Sequence, residues 1–239
     1  MKWSKVSHIG LVRETNEDNS LVCEDLQLLA VADGMGGHQA GEVASRLALE
    51  TIAAYVKRNN GDITANPGAA LIKALAEANK KIYQQAQQEP VYHGMGTTIT
   101  AAFLTPGKVN LAHVGDSRAY LIHNREIRLV TDDHSLVNEL IKNGGITVDE
   151  ASRHPHRNVL TRAVGSASRV DVDLYEVEVV PGDILVLCTD GLSNLLSPDE
   201  IRDTVNSGAA LDEAAAGLID RALAGGGSDN ITVILCMIE

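Results

Sequence analysis

Two apolar runs, Leu28-Leu29-Ala30-Val31-Ala32 and Ile184-Leu185-Val186-Leu187-Cys188, lie far apart in the chain and lead into the same dipeptide, Asp33-Gly34 and Asp190-Gly191. A continuous apolar run closed by a turn signal predicts a strand buried on both faces. When such a strand ends in an acid and a glycine, it delivers a carboxylate to the rim of a sheet. Asp229-Asn230 opens a third strand, Ile231 to Cys236, and Val114-Gly115-Asp116 closes a fourth. Asn16-Glu17-Asp18-Asn19 stands just before a fifth, Ser20 to Cys23. Antiparallel pairing sets the end of one strand beside the start of the next, so all five aspartates are expected at one rim. Clustered carboxylates repel unless a cation neutralises them, and an all-oxygen cluster suits a hard ion such as magnesium or manganese. One Asp-Gly after a strand is ordinarily a turn; repetition at strand ends of one polarity argues against that reading for the set.

The strand signals run from the N-terminal region to the last residues of a 239-residue chain, which predicts one interwoven domain over 1–239. Acids outnumber bases 32 to 20, a net charge of -12. That argues against nucleic-acid binding, which needs a basic footprint. No apolar stretch is long enough to span a bilayer, and Met1-Lys2-Trp3-Ser4 has no signal-peptide core, so the expected location is cytoplasmic and away from membranes. Cys23, Cys188 and Cys236 sit in or beside apolar strands and read as reduced packing residues.

Helical spacing predicts two helices, Ala40 to Arg58 and Ala69 to Gln88, the second with Leu71, Leu75, Ala78 and Ile82 on its buried face. Short strands follow at Thr97 to Leu104, Lys108 to Val114, Arg118 to Ile122 and Glu126 to Val130. From Thr131 to Arg169 the strand pattern stops; Leu136, Leu140 and Ile141 suggest a short helix, and Thr147 with Glu150 a capping box. Strands resume at Asp171 to Val179 and Asp183 to Cys188. Ser197-Pro198-Asp199-Glu200 is a strong helix start, and Leu211, Ala215, Leu218 and Ala222 mark another helix, broken by Gly225-Gly226-Gly227. Segregated helices and hairpin-linked strands predict an α+β fold with antiparallel sheets covered by helices.

Seven segments stand in a telling order: Arg13-Glu14-Thr15-Asn16-Glu17-Asp18, Ala32-Asp33-Gly34-Met35-Gly36-Gly37, Gly94-Met95-Gly96-Thr97-Thr98, Val114-Gly115-Asp116-Ser117-Arg118-Ala119-Tyr120, Asp133-His134-Ser135, Thr189-Asp190-Gly191 and Ser228-Asp229-Asn230. Each alone is weak, but the ordered set resembles the metal-dependent type 2C protein phosphatases, in particular the compact bacterial members acting on phosphoserine and phosphothreonine. The resemblance covers the whole chain. It implies a four-layer α/β/β/α sandwich, two antiparallel sheets between helices, with a flap subdomain at about 131–169. It further implies two tightly bound Mn2+ or Mg2+ ions and a weaker third, phosphoprotein substrates, an opposing serine/threonine kinase, and hydrolysis by a metal-activated water with no phosphoenzyme. By the resemblance, Asp33 bridges the two metals with help from the Gly34 carbonyl. Asp190 and Asp229 hold the first, Asp18 holds the second through water, and Asp116 takes the third.

Arg13 is the natural phosphate clamp, because a guanidinium offers two parallel hydrogen bonds to phosphate; its alternative is a surface pairing with Glu14 or Glu17. A serine alkoxide leaves poorly without a proton. Met35 occupies the place of a histidine in the animal pattern, and His38 could substitute as general acid or serve only at the helix start. Lys142, Arg153, Arg157, Arg162 and Arg169 give the 131–169 segment a local basic bias that steers acidic substrates or merely balances neighbouring acids. Other motifs fail: Glu42 falls where a phosphate-binding loop needs lysine, Gly115 to Ala119 lacks the last glycine of a nucleophile elbow, and His154-Pro155-His156 has no matching metal cluster. Two other functions fit the same residues, a catalytically inactive relative that regulates a partner by binding, and a metal-dependent phosphodiesterase.

Overall fold

The computed structural model describes residues 1–36 and 40–239, Ser152 by its backbone alone. In chain order the strands are β1 (Lys2–His8), β2 (Asp18–Cys23), β3 (Leu28–Met35), β4 (Gly96–Thr97), β5 (Ile99–Thr105), β6 (Lys108–Val114), β7 (Arg118–His123), β8 (Glu126–Leu129), β9 (Asp173–Glu178), β10 (Ile184–Cys188) and β11 (Ile231–Met237). The helices are α1 (Ala40–Arg58), α2 (Asn60–Ala65), α3 (Pro67–Gln88), α4 (Leu136–Lys142), α5 (Val148–Ser152), α6 (Asp190–Ser193), α7 (Pro198–Val205) and α8 (Leu211–Ala224). One sheet has the order β1-β11-β10-β7-β8; the other runs β2-β3-β5-β6-β9, with β4 on β3. The strand pairings are antiparallel.

The apolar runs are continuous because each strand is covered twice. Side chains alternate across a strand, so in β3 Leu28, Ala30 and Ala32 face α1, α2 and α3, while Leu29 and Val31 face the other sheet. In β10, Val186 and Cys188 face α6, α7 and α8, and Leu185 and Leu187 face inward. In β11 the same division places Val233 and Leu235 outward and Ile234 and Cys236 inward. Helices, sheet, sheet, helices: the expected four-layer α+β sandwich is the observed one. Cys188 and Cys236 are buried packing residues, Cys23 is half-buried, and all three are free thiols.

Local signals act as expected at several ends. Ser197 and Glu200 form a capping box at α7 with Pro198 in its first turn, and Thr147 and Glu150 form one at α5. Three differences have physical reasons. Strand β1 carries no apolar run because it is a sheet edge, with only Ser4 of its residues fully buried; its register with β11, Val6 against Val233, holds it in place. Helix α2 buries only Ile63, too little periodicity to stand out. The run Thr97 to Leu104 divides into β4 and β5, because Thr98 breaks out to donate its backbone N–H to Asp33 O at 2.9 Å.

Neither Asp-Gly is a turn. Gly34 lies inside β3 and Gly191 inside α6. Both are glycine because backbones cross there: a Cβ on Gly34 would stand 2.1 Å from Gly41 O, and one on Gly191 2.0 Å from Asn230 O. Gly191→Ala therefore forces two backbone segments apart, and its loss of stability should reach roughly 2 kcal/mol or more. Gly61→Ala in α2, where a Cβ meets nothing within 4 Å, should hold or raise the melting temperature. Thermal unfolding of the pair checks this; equal melting temperatures would refute the crossing argument.

Candidate metal centre

The register of the second sheet sets Asp18 directly opposite Asp33 across β2 and β3. In the first sheet, β10 ends one residue before Thr189-Asp190, and Asp229 lies two residues before β11, its partner. Asp116 sits in the turn between β6 and β7. The two sheets abut at these ends, so all five predicted aspartates meet at one rim. Asp33, Gly34, Asp116, Asp190, Asp229 and Arg13 line a single cleft of about 360 Å³ there. Asp18 lies beneath it and is 6% exposed.

Electrostatics report the crowding. Burial, then the charges of Asp18, Asp190 and Asp116, hold the Asp33 carboxyl well above the usual carboxylate range. Asp116 is pushed up to about 8 by burial and the charge of Asp190. Asp18 is pushed up to about 7 by burial, which outweighs the hydrogen bonds from Thr232 and Thr189. Asp190 is raised by burial and by Asp229. Such a set is stable only with protons or a cation. Two oxygens, Asp18 Oδ1 and Asp190 Oδ1, are buried with no hydrogen-bond partner, a costly state that an inner ion would relieve. Among the described residues no three His, Cys, Asp or Glu side chains form a closed chelate. The donors gathered at the rim are carboxylate oxygens, two of them unpaired, and such oxygens are what a hard divalent ion takes. The residues present therefore fit Mg2+ or Mn2+.

Other polar side chains build this rim, and sequence reasoning gave them no role. Thr98 Oγ1 accepts the Asp33 N–H at 2.9 Å, and Thr97 Oγ1 donates to Asp33 O at 2.8 Å. Thr189 Oγ1 donates to Asp18 Oδ2 at 2.8 Å. Arg118 forks onto Asp133 with Nη2 to Oδ2 at 2.7 Å, bringing a partly buried cation near Asp116. His134 receives the Gly115 N–H on Nδ1 at 3.1 Å and gives its own backbone N–H to Gly115 O at 2.7 Å. Its Nε2 meets Asp173 Oδ2 at 3.1 Å, which in turn pairs with Arg162. The findable signal was polarity: buried threonines and a buried histidine beside apolar strands must have partners.

Arg13 reaches the rim and pairs there with Asp229, not with the acids named in its alternative reading. Its Nη2 donates to Asp229 Oδ2 at 2.7 Å, and the side chain is half exposed; Glu14 and Glu17 are not its partners. Asn230 fastens this loop. Its Nδ2 donates to Ile9 O and Thr15 O, both at 2.9 Å, and its Oδ1 accepts from Glu17 N at 2.8 Å. Gly10 is at φ +85°, and a Cβ there would stand 2.2 Å from Asp229 O. His38 falls within 37–39, outside the described residues.

The 131–169 segment is tied at several points. Val164 and Thr97 exchange backbone hydrogen bonds at 2.9 Å, and Asn79 Oδ1 accepts from Gly165 N at 2.7 Å. Of its bases, Lys142 pairs with Asp132 and Arg162 with Asp173, while Arg153, Arg157 and Arg169 are exposed. The segment roofs the rim from one side with Leu160, Thr161 and Arg162. No helix among the described residues is long and apolar enough to cross a membrane.

Comparison with known proteins agrees with this geometry. The profile of the family described as Protein phosphatase 2C matches residues 11–220. The serine/threonine phosphatase stp of Listeria welshimeri is 42% identical over 230 residues, 95% of this chain and 91% of its own. The crystal structure of the Mycobacterium tuberculosis serine/threonine phosphatase PstP/Ppp aligns with a TM-score of 0.92 at 38% identity, over 100% of this chain and 98% of that one. The PstP catalytic domain in complex with two manganese ions aligns with a TM-score of 0.88 at 38% identity, over 98% and 96%. Likeness this close extends through both sheets and every segment that carries a rim aspartate: the chain belongs to the protein phosphatase 2C family of metal-dependent protein phosphatases.

Proposed function

We propose that residues 1–239 form one catalytic domain that removes phosphate from serine and threonine of cytoplasmic phosphoproteins, opposing a serine/threonine kinase. The observation that carries this is the meeting of five aspartates, Asp18 buried and the other four partly buried, with an arginine at one open rim. Asp33 would bridge two Mn2+ or Mg2+ ions with the Gly34 carbonyl assisting, Asp190 and Asp229 would hold one, Asp18 the other through water, and Asp116 a weaker third. When bound, such ions supply a water acidic enough to act as nucleophile at neutral pH and neutralise charge on the phosphoryl group. Thr97 and Thr98 fix the backbone of Asp33, so its carboxylate is presented without rearrangement. Arg13 binds phosphate: its guanidinium already holds an anion, Asp229, at the mouth of the cleft, and a phosphate dianion competes for the same donors. His38 is the candidate proton donor to the leaving alkoxide. Neither nucleic acid nor membrane is a partner on this reading. The inactive, purely regulatory alternative has no observation in its favour, since such a protein has no use for carboxylates held at this electrostatic cost.

Asp33→Asn tests the centre in two independent ways. Hydrolysis of an aryl phosphate with Mn2+ should fall by orders of magnitude. In chelator, the carboxylates of Asp18, Asp33 and Asp116 have a higher proton affinity folded than unfolded. Their contribution to stability is therefore full below their ordinary value of 3.8 and is lost as pH rises, through about 7 for Asp18 and about 8 for Asp116, with Asp33 raised in the same direction. The melting temperature of the metal-free wild type should thus drop between about pH 5 and pH 8, and Asp33→Asn should flatten that drop. A variant with near-normal turnover, or with the wild-type pH slope, would show the assignment of Asp33 to be wrong.

Arg13→Ala should raise KM for phosphate esters more than it lowers kcat, because the clamp acts in ground-state binding. Arg13→Lys should rescue only part, lacking the two-pronged donor. Steady-state kinetics decide; an unchanged KM would return Arg13 to pairing with Asp229 alone.

The 131–169 segment acts as the flap, and its exposed bases steer acidic phosphopeptides. Replacing Arg153 and Arg157 by glutamine should lower kcat/KM for a phosphopeptide more than for an aryl phosphate. The difference should shrink as salt shortens the screening length. Equal losses on both substrates would mean that the flap supports the site without selecting substrates.

A further inference from the structure

A second cleft, of about 630 Å³, opens from the same rim on the side away from Arg13. Asp116 and Asp190 line both clefts, so the two meet at the carboxylates. One wall of the second cleft comes from the 131–169 segment, with Val137 and Ile141 of α4 and Val148 of α5. The other comes from the connection between α6 and α7, with Leu195 and Leu196, and from the first residue of α7, Pro198. These apolar side chains form a strip within a lining that also carries Arg118, Asp133, Asn138 and Glu200, and none of Val137, Ile141 and Val148 belongs to the three cores of the fold. Val148 is 70% exposed, the most exposed of the large apolar side chains among the described residues. Its capped position at the start of α5 holds it there: Thr147 and Glu150 close the capping box around it.

An apolar strip in a groove that ends at a reaction centre has a natural occupant. A phosphoresidue seated at the rim is part of a chain, and that chain must leave the cleft along a surface continuous with it. An extended chain advances about 3.5 Å per residue, so a side chain within about three residues of the phosphate lies within roughly 10 Å of it. We propose that the cleft between α4–α5 and the α6–α7 connection receives an apolar side chain of the substrate, within about three residues of the phosphorylated serine or threonine. This rests on the phosphatase reading above and adds a substrate preference to it. Its volume is on the scale of specific ligand pockets, about 300–1,000 Å³. Arg157 in the same lining fits the same occupant, because it sets a cation beside the apolar strip for a peptide that carries phosphate.

Three substrates test it with Mn2+ present: a phosphopeptide with leucine or methionine at the near flanking positions, the same peptide with serine or asparagine there, and a small aryl phosphate. The wild type should favour the apolar peptide over the polar one by about tenfold in kcat/KM, mainly through KM. Val148→Asn, alone and with Val137→Thr, keeps the charge and most of the volume of the wall, and the exposed position spares the fold. These variants should bring the apolar-to-polar ratio close to one, and Val148→Ile should retain the preference. A wild type that hydrolyses all three substrates with no apolar preference overturns the groove while leaving the phosphatase reading in place. So does a preference that survives both variants. A wild type that hydrolyses none of them sinks both. If the variants instead alter only self-association in light scattering, the groove is an interface between copies and the proposal falls.

Discussion

Mutual repulsion among buried carboxylates at the joint edge of the two sheets is the constraint on which the rest of this structure depends. Asp18 and Asp33 face one another in register, and Asp190, from the other sheet, and Asp116, in the turn that joins the two sheets, crowd the same space. No folded chain would retain such a cluster on packing grounds, since like charges out of water are destabilising unless neutralised. The scaffold around it is built to hold it. Two glycines let backbones cross at the rim where a Cβ would overlap a carbonyl. Threonines at 97, 98 and 189 anchor the aspartates through hydroxyls. Three apolar cores between the four layers hold the strands so that their ends cannot relax apart.

The same constraint explains what the sequence disclosed and what it withheld. Strands covered on both faces read as unbroken apolar runs, so β3, β10 and β11 stand out, and with them the acids at their ends. The four layers follow once each run is divided between two faces. Edge elements gave no such signal: β1 is held by backbone pairing with β11, and its sequence alternates polar and half-buried residues. The Asp-Gly pairs pointed to aspartates that the structure gathers at the rim, but for an incomplete reason. Glycine is required there by the approach of a second segment, Gly41 in one case and Asn230 in the other, and a crossing between residues distant in sequence leaves no local trace.

Partner choice was equally hidden. Arg13 was legible as an arginine near acids, but its pairing with Asp229, more than two hundred positions away, depends on how Asn230 pins the 9–17 loop. His134 gave no hint of its hold on Gly115, because that contact joins the start of the 131–169 segment to the turn between β6 and β7. These links couple the 131–169 segment, the Arg13 loop and the rim into one unit. The family resemblance ordered the motifs correctly, and the polar scaffold between them became visible only in three dimensions.

Calorimetric titration of Mn2+ into the chelator-treated protein near pH 7, repeated in buffers of different ionisation heat, addresses the central claim most directly. The crowded carboxylates of Asp33, Asp116 and Asp18 hold protons in the ion-free state, with Asp116 at about 8 and Asp18 at about 7. Binding should therefore release at least about one proton per chain, seen as a heat that varies with the buffer. Binding without proton release, or no binding, would contradict the account that these carboxylates are assembled around a cation.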